Sequence, residues 1–224
     1  SGMIDWPGKV SATAFLSGCS FRCPYCHNAA LVGPAAAEDS EILWTKLLAH
    51  LDARRDWLDG VVVTGGEPTE DPGLPDALEH LRELGIAVRL DTNGSNPEML
   101  EALIIRGLVK GVAIDLKGTR QTYATVAKQP DAWERVMASI RIVRDWGVDH
   151  EIRTTVFPGL IALADLPMLA ERLAGNDRYV LQQYRPVDTL QPSARVIAPY
   201  PAVDLRAAAK ACSRSIPTTV RGIV

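Results

Sequence analysis

Three of the four cysteines in this chain of 224 residues fall close together, in Gly18-Cys19-Ser20-Phe21-Arg22-Cys23-Pro24-Tyr25-Cys26-His27-Asn28. Thiolates spaced this tightly bind metal or carry redox chemistry more often than they pack a core. Further along lie Gly65-Gly66-Glu67-Pro68, Asp91-Thr92-Asn93-Gly94 and Asp115-Leu116-Lys117, each closing an apolar run. Glycines at Gly65 and Gly66 let backbone approach a ligand closely, and Glu67 can accept a hydrogen bond from an ammonium group.

Several chemistries compete for the cysteines. Cys23-Pro24-Tyr25-Cys26 is a glutaredoxin-like dithiol by local sequence, and Cys23-x-x-Cys26-His27 also matches c-type haem attachment. A dithiol would not need Cys19 and belongs to a far shorter domain, while haem attachment implies an exported protein. A structural zinc would draw on His27, but consecutive Cys26 and His27 rarely both reach one tetrahedral ion. An iron-sulfur cluster fits better, because a four-iron cubane accepts three thiolates and leaves one iron open. Cys212, flanked by Ala208, Ala209 and Ala211, reads as a small buried apolar residue and not as a fourth ligand.

The elements that must position these groups alternate along the chain. Strands are expected at Val10 to Leu16, Gly60 to Thr64, Ile86 to Leu90, Val109 to Leu116, His150 to Val156 and Tyr179 to Tyr184. Helices are expected at Glu41 to Leu58, capped by Asp39 or Ser40, and at Pro75 to Glu83, Pro97 to Ile105, Arg120 to Ala127, Asp131 to Trp146, Leu166 to Ala174 and Ala202 to Ser213. Thr218 to Val220 is a stub of strand, and Asp5-Trp6-Pro7-Gly8-Lys9 is a turn before the first strand. Six such units imply a parallel sheet, doubly wound or barrel. The cysteines, Glu67, Asp91, Asp115 with Lys117, Thr155 and Arg185 all sit at strand C-terminal ends, which meet at one mouth in a barrel. The expectation is therefore an α/β fold, a partial (β/α)6 TIM-like barrel in one domain over 1–224, with its core at about 10–186 and a closing helix and short strand at 200–224. Alternation places Val112, Ile114 and Leu116 against the helices and turns Ala113, Asp115 and Lys117 inward.

With 47% apolar residues, 23% charged residues and a net charge of -3, the chain can bury a full core and has no basic field for nucleic acid. No apolar run reaches a membrane span and no secretory signal pattern is present, so a cytoplasmic protein, monomeric on its own, is expected.

Cys-x-x-x-Cys-x-x-Cys, with Tyr25 before the last cysteine and a strand-end Gly65-Gly66-Glu67-Pro68, resembles the radical S-adenosylmethionine superfamily. Cys26-His27-Asn28, Asp91-Thr92-Asn93-Gly94, Asp115-Leu116-Lys117 and Ile152-Arg153 through Pro158-Gly159 are similar to its glycyl-radical-enzyme activases. Asp5-Trp6-Pro7-Gly8-Lys9 and Gln182-Gln183-Tyr184-Arg185-Pro186 resemble the single-cluster activating proteins of anaerobic ribonucleoside-triphosphate reductase. The resemblance implies a 4Fe-4S cluster on Cys19, Cys23 and Cys26, and an S-adenosylmethionine site at Tyr25, Cys26, His27, Gly65, Gly66, Glu67, Asp115, Leu116, Lys117, Thr155 and Arg185. Lys117 joins the cysteines as a catalytic residue, and a monovalent cation would bind Asp91, Thr92, Asp115 and the Ala113 carbonyl. In the bland alternative, Asp91 stabilises its turn and Asp115 pairs with Lys117; Arg153 is either a carboxylate ligand or an ion-paired interior residue. The implied reaction is reductive cleavage of S-adenosylmethionine and hydrogen abstraction from a backbone glycine of a glycyl radical enzyme, with flavodoxin or ferredoxin as electron donor. A radical enzyme acting on a small molecule or nucleobase, like a deazapurine synthase, and a non-enzymatic zinc or cluster protein are the competing classes. Tyr184-Arg185 departs from the Tyr-His of pyruvate formate-lyase activases.

Overall fold

The computed structural model describes residues 5–33, 44–127, 129 and 131–223. Seven parallel strands form one sheet in sequential order: β1 Ser11–Leu16, β2 Gly60–Gly65, β3 Val88–Thr92, β4 Gly111–Asp115, β5 Asp149–Val156, β6 Tyr179–Gln183 and β7 Thr218–Arg221. The connections carry helices α1 Trp44–Asp52, α2 Leu74–Glu83, α3 Pro97–Ile105, α4 Tyr123–Val126, α5 Ala132–Asp145, α6 Asp165–Arg172 and α7 Ala202–Cys212. A singly wound order of this kind makes a partial barrel and excludes the doubly wound arrangement, whose strand order reverses. The expected stub is a seventh full member: Thr218 to Arg221 pair in parallel with Tyr179 to Gln182.

Two strands begin two residues later than their apolar runs suggest, and for one reason. Gly85 and Gly107 adopt left-handed φ of 72° and 67°, and the amides behind them, Ile86 and Leu108, bond back to Leu81 and Leu103. These helix-ending turns absorb apolar residues that periodicity alone assigns to a strand. The first helix ends at Asp52, short of Leu58, and gives way to a 3-10 turn at Arg55–Trp57; its expected start and its Asp39 or Ser40 cap lie outside the described residues.

The register sorts every strand residue to one face. Val62 aligns with Arg89, Arg89 with Gly111, Asp91 with Ala113, Asp115 with Arg153 and Gln182 with Arg221, so these share the inner, concave face. Val61, Val63, Leu90, Val112, Ile114, Ile152 and Leu181 point outward and are buried in the core beneath the helices. Trp6 closes the N-terminal end. A Cβ on Gly60 would lie 2.6 Å from its indole, and one on Gly111 would lie 3.7 Å away, so two inward glycines leave room for the ring. Among the described residues no helix is long and apolar enough to cross a membrane.

Candidate active site

The cysteine loop leaves the end of β1 and is rooted on the end of β2. Gly66 N donates to Leu16 O and Glu67 N to Gly18 O, both at 2.7 Å. A Cβ on Gly66 would come within 1.9 Å of Gly18 O, and one on Gly65 within 2.2 Å of Leu16 O, with φ at +132°. The close approach that these glycines permit is thus, in the first place, to the backbone of the loop's own root. Gly66→Ala is expected to lower stability by about 3 kcal/mol, because backbone and not a flexible side chain must move; a thermal melt of the iron-free protein checks this, and an unchanged midpoint would refute it.

Further ties hold the loop. Asn28 Nδ2 donates to Gly65 O at 3.1 Å, Ser20 bonds to Glu70, and Arg22 caps the carbonyls of Cys19 and Phe21. From the far side of the barrel, Leu190 N donates to Cys26 O and Gln191 N to Pro24 O, each at 3.0 Å. His27 Nε2 meets Arg185 O at 3.0 Å, while the Arg185 side chain is exposed. Tyr25 is buried against Phe157 and Tyr184, with ring centroids 5.2 and 6.5 Å away, and its hydroxyl reaches Lys117 O at 3.4 Å.

Cys19, Cys23 and Cys26 are free thiols. Burial pushes Cys19 up to about 11, with Glu67 adding to the rise, and pushes Cys23 up to about 12 against the opposing charge of Lys117. Metal entry therefore has to displace protons. Among the described residues no three His, Cys, Asp or Glu side chains close on one point as a single-ion site requires. That spread, with an all-thiolate donor set, suits a cubane, whose thiolates each take a different iron.

Glu67 is 1% exposed and its carboxylate is surrounded by donors. Oε1 accepts from Thr69 N, Thr69 Oγ1 and Thr92 Oγ1 at 3.1, 2.6 and 2.6 Å, and Oε2 accepts from Asn93 N at 2.6 Å. Burial raises its pKa against the pull of these partners. The side chain that the sequence offers to an ammonium is, in this geometry, the tie between the ends of β2 and β3.

The inner face carries a ladder of charges. Arg153 Nε donates to Asp115 Oδ1 at 2.7 Å and its Nη1 to Asp91 Oδ2 at 2.6 Å. Lys117 Nζ takes the other Asp115 oxygen at 2.7 Å, and Arg89 the other Asp91 oxygen at 3.1 Å. Below them, Arg89 and Arg221 share Glu151 at 2.7 and 3.0 Å. Burial would raise Asp115, but Arg153 and then Lys117 hold its carboxyl well below the usual range. The pairing of Asp115 with Lys117 and the ion-paired reading of Arg153 both describe this arrangement. Ala113 lies between the two acids on the same face, Thr92 is turned to Glu67, and Thr155 contacts Gln182 at 3.4 Å. The Leu116 side chain is buried with the outer core, and its carbonyl accepts from Thr154 Oγ1. Sequence reading missed Arg89, Glu151 and Arg221; inward alternation with Asp91 and Arg153 was the signal that could have found them.

Cysteines on the loop after the first strand of a partial parallel barrel, beside a strand-end Gly-Gly-Glu, define a class of cluster enzymes, and the family model for the Radical SAM superfamily matches residues 13–162. The chain belongs to this superfamily, whose members use a 4Fe-4S cluster and S-adenosylmethionine. It is 32% identical over 190 residues to a protein of Methanocaldococcus jannaschii provisionally named a glycyl-radical enzyme activating enzyme, covering 83% of this chain and 77% of that one. A pyruvate formate-lyase-activating enzyme of Streptococcus mutans is 29% identical over 171 residues, 71% of this chain and 63% of the relative. Among solved structures, Streptococcus suis SuiB bound to S-adenosylmethionine superposes with a TM-score of 0.70 at 16% identity. That match covers 95% of this chain but only 50% of SuiB, and the likeness is one of fold.

Proposed function

We propose that this chain is a glycyl-radical-enzyme activase. The likeness to the M. jannaschii relative, at 32% identity over 83% of the chain, carries this reading. Cys19, Cys23 and Cys26 would hold the 4Fe-4S cluster, which, once reduced by flavodoxin or ferredoxin, would supply the one electron that cleaves the sulfonium C–S bond of S-adenosylmethionine to methionine and a 5′-deoxyadenosyl radical. A hydrogen atom from a backbone glycine of the partner then completes 5′-deoxyadenosine and leaves the glycyl radical. The chain's own residues hold and shield the reactants. The backbone of Tyr25, Cys26 and His27 would line the adenine, Arg185 would contribute through its carbonyl on His27, and the Gly65-Gly66 turn would offer main chain to the methionine end. Lys117, beside Asp115 and the thiols, brings positive charge to the methionine carboxylate. Thr155 and Leu116 supply, respectively, an inner-face hydroxyl and a main-chain position at the same mouth. Glu67 acts by fixing the turn after β3. A monovalent cation at Asp91, Thr92, Asp115 and the Ala113 carbonyl has to compete with Arg153, which already bridges the two acids.

Phe15, on the inner face of the edge strand β1, is 56% exposed, so this flank of the barrel is open to an extended peptide loop. We name anaerobic ribonucleoside-triphosphate reductase as the owner of that loop, on the Asp5-Trp6-Pro7-Gly8-Lys9 and Gln182 to Pro186 segments. Free thiols suit the cytoplasm, where we place the enzyme as a monomer that meets its partner transiently. Reduced enzyme, S-adenosylmethionine and that reductase, mixed without oxygen, are expected to give a glycyl radical doublet by electron paramagnetic resonance. Deuterium placed on the partner's glycine is expected in 5′-deoxyadenosine. Label arriving from a small metabolite, with no protein radical on any glycyl-radical partner, would overturn the reading.

A further inference from the structure

Asn93 stands just past the end of β3 with its backbone N–H and both side-chain polar atoms committed. Its backbone N–H donates to Glu67 Oε2 at 2.6 Å, and its Oδ1 accepts from Ser95 N at 2.8 Å. The second contact fixes the amide's orientation, since the oxygen must face Ser95 N–H and the nitrogen must then face the other way. On that side Nδ2 meets Cys19 Sγ at 3.8 Å, a reach suited to the larger sulfur atom. Asn93 is 5% exposed, so water does not compete for the contact. Asn93 is thus a donor aimed at a cluster ligand from outside the cysteine loop, held there by the buried carboxylate of the Gly-Gly-Glu turn.

We propose that Asn93 is a positioning residue that sets the reduction potential of the bound cluster, by donating a hydrogen bond to the Cys19 sulfur from a site locked by Glu67. The inference rests on the three-cysteine cluster reading. An electron added to a thiolate-held cluster raises the negative charge on its sulfurs, so an N–H donor favours the reduced form and raises the potential. The contact also couples the two hallmark segments of the chain: Glu67 fixes Asn93, and Asn93 meets the first cysteine. That gives Glu67, whose oxygens are taken up by Thr69, Thr92 and Asn93, a part in the chemistry that needs no direct contact with a ligand.

The test is a redox titration of the reconstituted protein, following the reduced cluster by electron paramagnetic resonance. Asn93→Leu removes the donor at similar volume, and Asn93→Asp keeps the acceptor for Ser95 N while turning an acceptor toward the sulfur. At a fixed potential the ratio of reduced to oxidised cluster is expected to fall about tenfold in Asn93→Leu, equivalent to about 59 mV for a one-electron couple. It is expected to fall further in Asn93→Asp. Iron and sulfide content measured beside the titration separates the two levels of the argument, because failure of the parent protein to bind four irons would sink the cluster reading itself. Loaded variants with the parent's midpoint would overturn the proposal. So would loss of iron from both variants, which would make Asn93 a residue of the loop's fold.

Discussion

Alanine at Cys19, Cys23 or Cys26, one at a time, is expected to abolish the brown absorbance and nearly all iron retained after anaerobic reconstitution, whereas Cys212→Ala is expected to retain both. The difference follows from which side of the sheet each sulfur occupies. The three loop cysteines stand at the C-terminal mouth, in a loop rooted on Gly65 and Gly66 and latched by Leu190 and Gln191. Cys212 ends α7 and is fully buried in the outer core, next to Tyr179. Tyr179 aligns with Ile152 and donates to Thr154 Oγ1, which places both on the outward face, away from the inner ladder of charges. The sulfur of Cys212 therefore has the sheet between itself and the loop. Truncating it leaves a small cavity, costing about 1 kcal/mol without touching the cluster. Circular dichroism on each variant separates loss of cluster from loss of fold. A folded Cys212→Ala protein that no longer binds iron would mean a closed four-cysteine site and remove the reason to expect an open iron.

Much of this was legible in the sequence because the determining signals are local. Cysteine spacing needs only one loop, and strand alternation around Ile114 correctly turned Asp115 inward and Leu116 outward. Asp91 was expected to open into the same space as Asp115, and the two share one guanidinium. What stayed hidden depends on partners far apart in the chain. Arg89 alternates inward with Asp91, but its role is fixed only by a carboxylate partner 62 positions away on β5. The segment after β6 has no periodicity to betray that it pairs with the backbone of Pro24 and Cys26. Glycine is ambiguous for the opposite reason. Composition shows that a close approach is needed at Gly65 and Gly66 but not to what, and the neighbours are Leu16 and Gly18. Trp6 likewise scans as part of a turn, and only the inward glycines Gly60 and Gly111 reveal it as the floor of the barrel.

Removing Arg153 is expected to be as damaging as any single change outside the cysteine loop. Arg153→Met keeps the length of the side chain but strips the guanidinium that Asp91 and Asp115 share, leaving each acid with one cationic partner, Arg89 and Lys117 respectively. Breaking a buried ion pair from one side costs about 3–5 kcal/mol. The lower end applies, because the Asp115 side chain keeps 24% of its exposure and a partner in Lys117. A loss of about 3 kcal/mol in a chain of this size lowers the melting temperature by about 6–12 °C. The pH dependence distinguishes this cause from simple packing loss. Asp115 has its pKa lowered in the folded protein, so its stabilisation is fully present above the unfolded carboxyl value of about 3.9 and is lost as pH falls toward the depressed folded value. The gap between parent and variant should be widest near neutrality and close progressively below about pH 4. A gap that stays constant across that range would assign the loss to packing and not to charge. The same variant tests the cation. If the guanidinium is what neutralises the two acids, S-adenosylmethionine cleavage by the parent should be indifferent to exchanging sodium for potassium, and dependence on the cation should emerge only in Arg153→Met. Dependence already present in the parent would show that a bound cation displaces Arg153 from Asp91 and Asp115 in the working enzyme.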